Sequence, residues 1–225
     1  MGMSSVQSRF DEISSEYEAT RRKFIPDFDM FYKSGIDFLQ CEKETPHVLD
    51  LGAGTGLYSL KLIQRYPSAD VTLIDFAGNM LDIARKAFAG NRNIHFIRDD
   101  YSQHDFEGKK YDIVISALSI HHFKDEDKQR VYEKCHTLLN QGGEFLNADQ
   151  VAAGSSSLDQ RYRDIHAQFV RNNTNDVEYE QFLKNISLDL RAPMPAQLDW
   201  LKAAGFTQTD CVFKWNCFAV MYARR

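Results

Sequence analysis

Three glycines at alternate positions, Gly52, Gly54 and Gly56, follow a short apolar run, Val48-Leu49-Asp50-Leu51, that an acid interrupts near its end. Glycine admits positive φ and lets a backbone come within contact distance of a ligand that any Cβ would push away. A helical pattern begins at Leu57, so the loop amides, Ala53 and Thr55 included, sit where N–H groups can receive an anionic ligand group. Further along stand residues able to move a proton: the adjacent His121 and His122, whose imidazoles ordinarily titrate near neutral pH, and Asp149. The histidine pair either acts as a general base, lines a pocket or caps the next helix. No third ligand stands at recognisable metal-site spacing, so no metal is assigned.

The elements that must carry these residues alternate. His47 to Leu51 reads as a buried strand, and Leu57, Leu60, Ile63 and Tyr66 form a helical stripe that Pro67 ends. Val71–Asp75, Ile94–Ile97, Tyr111–Ser116 and Glu144–Ala148 read as further strands, with Asp99-Asp100 closing the third. Helices are expected over Asn79–Gly90 and Asp125–Asn140, the latter stopped by Gln141-Gly142-Gly143. Alternation of this kind implies an α/β domain with a parallel sheet and right-handed crossovers.

The repetition breaks at Ala152. Helical stripes to Asn172 and from Val177 to Asp189 form a cap inserted at the sheet's carboxyl edge, which Pro193 and Pro195 end. A closing helix over Gln197–Ala204 and two antiparallel strands, Thr207–Trp215 and Asn216–Arg224, complete the chain. Residues 4–40 read as two helical pieces, with Phe10, Ile13, Tyr17 and Phe24 before Pro26. The organisation is therefore one domain: an N-terminal lid (4–40), a core (45–150), a cap (152–195) and a closing segment (196–225).

With 225 residues, 43% of them hydrophobic, one sizeable core is expected. A net charge of −5 argues against a broad nucleic-acid surface. The apolar runs fall short of a membrane span, and the first ten residues hold neither a secretory h-region nor a myristoylation pattern. Cys41, Cys135, Cys211 and Cys217 show no metal or disulfide spacing and read as small core residues of a cytoplasmic protein.

Spacing separates two uses of the glycine loop. A dinucleotide fingerprint counted from Gly52 needs glycine at position 57, which is Leu. The pattern Val48-Leu49-Asp50-Leu51-Gly52-Ala53-Gly54-Thr55-Gly56, followed by Leu73-Ile74-Asp75, instead resembles the first two motifs of class I S-adenosylmethionine-dependent methyltransferases of the small-molecule type. The Tyr17-x-x-x-Arg21-Arg22-Lys23-Phe24-Ile25-Pro26 segment is similar to one in other methyltransferase-like chains.

The resemblance implies a Rossmann-like fold with a seven-stranded, mostly parallel sheet and a C-terminal antiparallel hairpin. It implies S-adenosyl-L-methionine as cofactor and S-adenosyl-L-homocysteine as product. Asp75, 19 residues after Gly56, then suits ribose hydroxyls. Asp100, with Asp99 second and the Tyr101 N–H beside them, suits the adenine edge, and Phe76 and Met80 suit its faces, although Met80 is equally a core residue. The loop carbonyls with Ala117 and Leu118 suit the ammonium, while loop amides or Arg21 or Arg22, under a Tyr17 lid, suit the carboxylate. Arg21-Arg22-Lys23 reads equally as a solvated face. Asp50 is expected to order the loop by accepting its amides.

The acceptor must then lie near Ala117–His122, Asp149 and the cap, where Tyr162, His166 and Phe169 form either a packing stripe or a substrate surface. Ser116-Ala117-Leu118-Ser119 lacks the Asn/Asp-Pro-Pro-Tyr/Phe sequence of adenine and glutamine methyltransferases, which favours a small-molecule acceptor for a monomer or homodimer. Two other readings share the loop: a non-catalytic S-adenosylmethionine sensor or partner subunit, and an enzyme that alters the cofactor itself, as carboxy-S-adenosylmethionine synthases do.

Overall fold

The computed structural model describes residues 19–225. The expected Phe10–Ile13–Tyr17 stripe, and with it the proposed role of Tyr17, lies outside the described residues. Seven strands form one sheet: β1 (His47–Leu51), β2 (Asp70–Asp75), β3 (Ile94–Arg98), β4 (Tyr111–Ala117), β5 (Leu139–Gln150), β6 (Gln208–Trp215) and β7 (Phe218–Arg224). Their order is β3-β2-β1-β4-β5-β7-β6, with β1 to β5 parallel and β7 antiparallel to both neighbours. The chain turns outward from β1 to β3 and then returns to β1's other side. The carboxyl ends of β1 and β4 therefore flank the point where the order reverses, the place where open parallel sheets bind ligands.

Side-chain alternation splits the core in two. Val48, Ile113, Ile115, Leu146 and Ala148 face one layer, packed under α1 (Phe28–Phe38), α2 (Leu57–Arg65) and α3 (Gly78–Ala87). Leu49, Leu51, Val114 and Phe145 face the other, with Val131, Tyr132, Cys135 and Leu138 of α4 (Asp125–Leu138) and Leu201 of α7 (Met194–Ala203). Cys135 and Cys217 are buried, Cys41 and Cys211 partly so, and no disulfide joins them.

Several boundaries differ from expectation: the closing helix begins at Met194 and so takes in Pro195, and the last strand begins at Phe218. The helix predicted to run to Asn140 stops at Leu138, because Leu139 already pairs with Tyr111 at the foot of β4. Gly142 (φ 74) donates to the Arg225 carbonyl, and Arg225 donates back to Gly143, so the glycines lie within a strand start pinned to the C-terminus rather than capping a helix.

The cap leaves after β5 as α5 (Ser156–Asn173) and α6 (Asp176–Ile186). A parallel bridge between Ala152 and Pro193 closes its stem. Asn175 and Glu178 cap α6 reciprocally, and Glu178 also accepts from Lys23 Nζ at 2.6 Å, tying the N-terminal segment to the cap. Among the described residues no helix is long and apolar enough to cross a membrane.

Candidate functional site

The branched residues of β1 end in a loop whose three glycines all take positive φ: 64° at Gly52, 54° at Gly54 and 78° at Gly56. Their reasons differ. A Cβ on Gly52 would lie 1.9 Å from Ser119 Oγ, and one on Gly56 2.6 Å from Phe88 Cε2, so these two positions are closed by the protein's own packing. A Cβ on Gly54 would meet nothing within 4 Å, because that position faces open space. The space is a cavity of about 840 Å³ bounded by the loop, the start of the segment after β2, the end of β4 and the cap.

Asp75 ends β2 almost fully buried. It accepts from the Gly54 amide at one oxygen (2.8 Å) and from the Ala77 amide at the other (2.8 Å). Each oxygen keeps a lone pair for a further donor in the cavity. Phe76 stands beside it with 74% of its surface exposed, and Met80 follows one helical turn later, so both present apolar faces to the same cavity.

Asp50 is 1% exposed and lines the cavity. It accepts from the Ser59 hydroxyl of α2 at 2.6 Å, not from the loop amides as expected, because β1 aims its side chain under the helix start. Its other oxygen, Oδ1, is buried with no hydrogen-bond partner. Burial pushes its pKa up to about 7, with Asp75 adding to the effect and Ser59 opposing it. A buried acceptor that faces a cavity unpartnered is suited to a cationic donor.

At the other end, Ala117, Leu118 and Ser119 continue β4 over the cavity. Leu118 holds φ 51, a strained conformation for a non-glycine residue, and its N–H donates a hydrogen bond to the Ala148 carbonyl. The 3₁₀ turn Ile120–His122 follows. His121 is buried. Its backbone N–H donates to Asp149 Oδ2 (2.9 Å), and its Nδ1 lies 2.5 Å from Asp149 Oδ1. On the far side Nε2 lies 3.4 Å from Asp189 Oδ1 of the cap. Burial opposes charge on His121, but the two carboxylates outweigh it and raise its pKa to about 9. His122 is 58% exposed, with Nδ1 3.6 Å from the same Asp189 oxygen; burial and the neighbouring His121 hold its pKa below the usual value.

Several expected residues stand elsewhere. Asp149, expected to face the crevice, is 1% exposed behind His121, with both oxygens engaged by His121 and the Gln150 amide. Arg22 forks onto Asp29 and lies over Phe28, whereas Arg21 lines the cavity. Asp99 binds His104 Nδ1 and the Asp100 amide, Asp100 accepts from Ser102, and Tyr101 is buried against Gly52 with its hydroxyl on Ser119. All three flank the β3 end without lining this cavity.

Of the cap stripe only His166 reaches the cavity, its Nε2 bonded to the Phe24 carbonyl at 2.8 Å. Tyr162 instead meets Lys214 and Asn216 of the β6–β7 hairpin, and Phe169 lies outside the lining. The cap's contribution comes mainly from Gln181, Phe182, Asn185 and Asp189, which sequence reasoning did not single out.

Asp189 is held by its neighbour. The Leu190 amide donates to the His121 carbonyl (3.0 Å), and the Leu190 carbonyl accepts from Lys128 Nζ (2.5 Å), which also binds the Phe123 carbonyl (2.6 Å). Lys128 is fully buried, so Lys128→Met should leave two carbonyls unsatisfied and cost about 2–4 kcal/mol. Chemical denaturation checks this, and proteolytic cleavage should begin in residues 187–192.

Residues 48–143 match a family model described as a methyltransferase domain. The chain is 25% identical to carboxy-S-adenosyl-L-methionine synthase of Nautilia profundicola, over 96% of this chain and 94% of that one. It is 34% identical to demethylmenaquinone methyltransferase of Thermus thermophilus, over 61% of this chain and 62% of that one. The fold is also that of human N-acetylserotonin methyltransferase, solved with S-adenosylmethionine, at a TM-score of 0.59 and 17% identity, with 86% of this chain and 51% of that one covered. The chain thus spans about half the length of that solved structure.

Proposed function

We propose that the chain, whose residues 48–143 match a methyltransferase domain model, is a class I S-adenosylmethionine-dependent methyltransferase that moves the donor's methyl group to a nucleophilic atom of a small acceptor held beneath the cap. One observation carries this reading: a single cavity, open on one side, joins the glycine loop to His121, His122 and residues of α6, so that donor and acceptor can share one continuous space. A volume of about 840 Å³ lies within the range of small-molecule sites, roughly 300–1,000 Å³.

The residues present fit the donor. Asp75 retains acceptor capacity for the ribose, Phe76 and Met80 offer faces to the adenine, and the unpartnered Asp50 Oδ1 suits the ammonium. Asp99, Asp100 and the Tyr101 amide stand at the β3 end beside this cavity, outside its lining. Gly52, Ala53, Gly54 and Thr55 supply the loop backbone, Gly56 starts α2, and of Arg21 and Arg22, both candidates for the donor carboxylate, Arg21 lines the cavity. When bound, S-adenosylmethionine supplies an electrophilic methyl group on its sulfonium.

The chain's own part is positioning and water exclusion, the main means by which a protein speeds a displacement of this type. Ala117 and Leu118 form the rigid floor between the two ends, while His122, Gln150, Gln181 and Asn185 offer polar contacts to the acceptor. His121, buttressed by Asp149, fixes the wall beside them.

Incubation with methyl-labelled S-adenosylmethionine and a metabolite extract tests this reading, which expects S-adenosylhomocysteine and one labelled small product. Tight donor binding with no labelled product would count against it and favour a sensor or partner subunit. Asp75→Ala should weaken S-adenosylhomocysteine binding by about 1–3 kcal/mol in calorimetry, through loss of charged hydrogen bonds; an unchanged affinity would remove Asp75 from the donor site.

A second reading has its own support. Similarity to a carboxy-S-adenosyl-L-methionine synthase runs along 96% of this chain, cap included, so the cavity's polar end could present a reactant that carboxylates the donor. Mass spectrometry of the nucleoside products separates the two: a donor heavier by a carboxyl group favours this reading, S-adenosylhomocysteine the first.

A further inference from the structure

The distances around Asp189 point to a site the sequence could not show. Asp189 Oδ1 lies 3.4 Å from His121 Nε2 and 3.6 Å from His122 Nδ1. Both are long for an N–H···O bond, for which 2.7–3.2 Å is usual. They are close to the edge of a tetrahedron around a Zn²⁺ ion, since metal–ligand bonds of 2.0–2.1 Å place neighbouring ligands about 3.4 Å apart. One ligand atom from each of the three residues falls within 4.8 Å of the others. The rings of His121 and His122 lie side by side, with centroids 3.9 Å apart.

The surroundings are arranged as they are around a metal. His121 Nδ1 is engaged by Asp149 Oδ1, which orients the ring and directs Nε2 away from the sheet, toward Asp189. Metal-binding imidazoles characteristically give their second nitrogen to a carboxylate in this way. Asp189 is 6% exposed and is presented by a backbone fixed on both sides of Leu190, at the His121 carbonyl and at Lys128 Nζ. Two carboxylates, Asp149 and Asp189, surround the histidines, so the local field favours a cation, whether proton or metal ion.

We propose that His121 Nε2, His122 Nδ1 and Asp189 Oδ1 form a three-ligand site for a divalent transition-metal ion of the Zn²⁺ class, with its remaining position open to the acceptor end of the cavity. All three residues line that cavity. Two imidazoles and one carboxylate with an open position form the ligand set of a catalytic rather than a structural site. The assignment rests on the reading that an acceptor occupies this end, and it names the acceptor's class: a thiol or an acidic hydroxyl. Such a group binds the ion as its anion, releases its proton to solvent, and is thereby held as a nucleophile at neutral pH. The donor's methyl would then pass to that sulfur or oxygen with the sulfonium electron pair returning to S-adenosylhomocysteine.

Metal uptake tests the site without turnover. The full chain, stripped with chelator and dialysed, is titrated with Zn²⁺ by calorimetry and with Co²⁺ by visible absorption. One equivalent per chain is expected, with the intense visible bands of tetrahedral Co²⁺. His122→Gln, whose ring is largely exposed and leaves the core untouched, and Asp189→Asn should each weaken uptake at least tenfold. Asp149→Asn should weaken it about 10–100-fold through the orientation of His121. Thermal melts and S-adenosylhomocysteine calorimetry on the same samples report on the fold and the donor site.

No stoichiometric uptake by wild-type protein that melts normally and binds S-adenosylhomocysteine would overturn the metal site and leave the methyl-transfer reading standing. Uptake unchanged in His122→Gln or in a folded Asp189→Asn would overturn the ligand assignment. Stoichiometric uptake lost in both variants, together with failure of all methyl transfer, would sustain the site and overturn the function.

Discussion

Gly54→Val should fold and fail to bind the donor. The substituted Cβ meets no protein atom within 4 Å, so the fold bears only the cost of a branched residue at φ 54°, about 1–3 kcal/mol. The same side chain projects into the cavity where the loop backbone must approach a ligand closely. Affinity for S-adenosylhomocysteine should fall at least a hundredfold in calorimetry, with only a modest drop in melting temperature. Gly52→Ala provides the contrast. Its Cβ would lie 1.9 Å from Ser119 Oγ and 2.6 Å from Ser119 Cβ, so a smaller substitution should destabilise the protein more than Gly54→Val does. An affinity within a few-fold of wild type in Gly54→Val would mean that the cavity beside the loop is not the donor site.

The second large effect is a pH dependence written by Asp50. Its pKa in the free folded protein, about 7, stands above the ordinary 3.8 because the carboxyl is buried, with Asp75 nearby; Ser59 opposes the shift, and the buried Tyr58 is the other titratable group beside it. Between those two values the unfolded chain is ionised while the folded chain holds a proton. The folded state therefore loses stability as pH rises from about 4 to about 7, by an amount on the order of a few kcal/mol. Asp50→Asn should remove that loss, so the ligand-free variant melts higher than wild type at neutral pH and above.

Donor binding has the opposite sign. An ammonium against Oδ1 favours the carboxylate, so affinity for S-adenosylhomocysteine should rise toward about pH 7, approaching tenfold per pH unit where binding releases one proton. It should be lost as pH falls. The ligand's own amino group, beside its carboxylate, titrates above the roughly 7.7–8.0 of a peptide α-amino group and is common to both proteins. Calorimetry from about pH 5.5 to 7.5 should show a slope in wild type and a nearly flat, weaker profile in Asp50→Asn. Parallel profiles would show that the ammonium does not meet Asp50.

The strand–loop–helix unit at one end of the cavity was legible because its signals are local, whereas Asp99, Asp100 and Tyr101 fall outside the lining. Alternate glycines, a terminal acid on β1 and Asp75 at the end of β2 lie within one strand–loop–helix unit and its neighbour, and branched runs fix which residues are buried. The exceptions there are tertiary. Leu139 leaves the helical pattern because Tyr111 offers it a strand partner, and Asp50 turns to Ser59 because the helix start lies above it. Tyr101 carries no sequence mark of its packing against Gly52, although both residues belong to recognisable elements.

The acceptor half was less legible. Helical periodicity identifies the buried stripe of α5, but which part of it reaches the cavity depends on how the cap folds back. Tyr162 falls to the β6–β7 hairpin and His166 to the cavity, one turn apart. Asp189 sits in a weakly patterned stretch after α6, and its meeting with His121 and His122 is created by the cap's return alone. Arg21 and Arg22 are adjacent and chemically alike; only the placement of Asp29 decides which one turns away.

The closed stem of the cap has a consequence for how this chain can change. Residues 153–192 depart and come back across one backbone bridge, Ala152 to Pro193, while the donor loop belongs to β1 and its neighbours. Mutations on the insertion's outer face are thereby largely uncoupled from the glycine loop, whereas those at its ties to the body, among them Lys23–Glu178, Phe24–His166, His121–Leu190 and Lys128–Leu190, are not. A lineage bearing this architecture can drift at the cap end of the cavity at little risk to the glycine-loop end. Transplanting the insertion between relatives, with these ties retained, is then a direct route to a new cap end on an unchanged glycine-loop end.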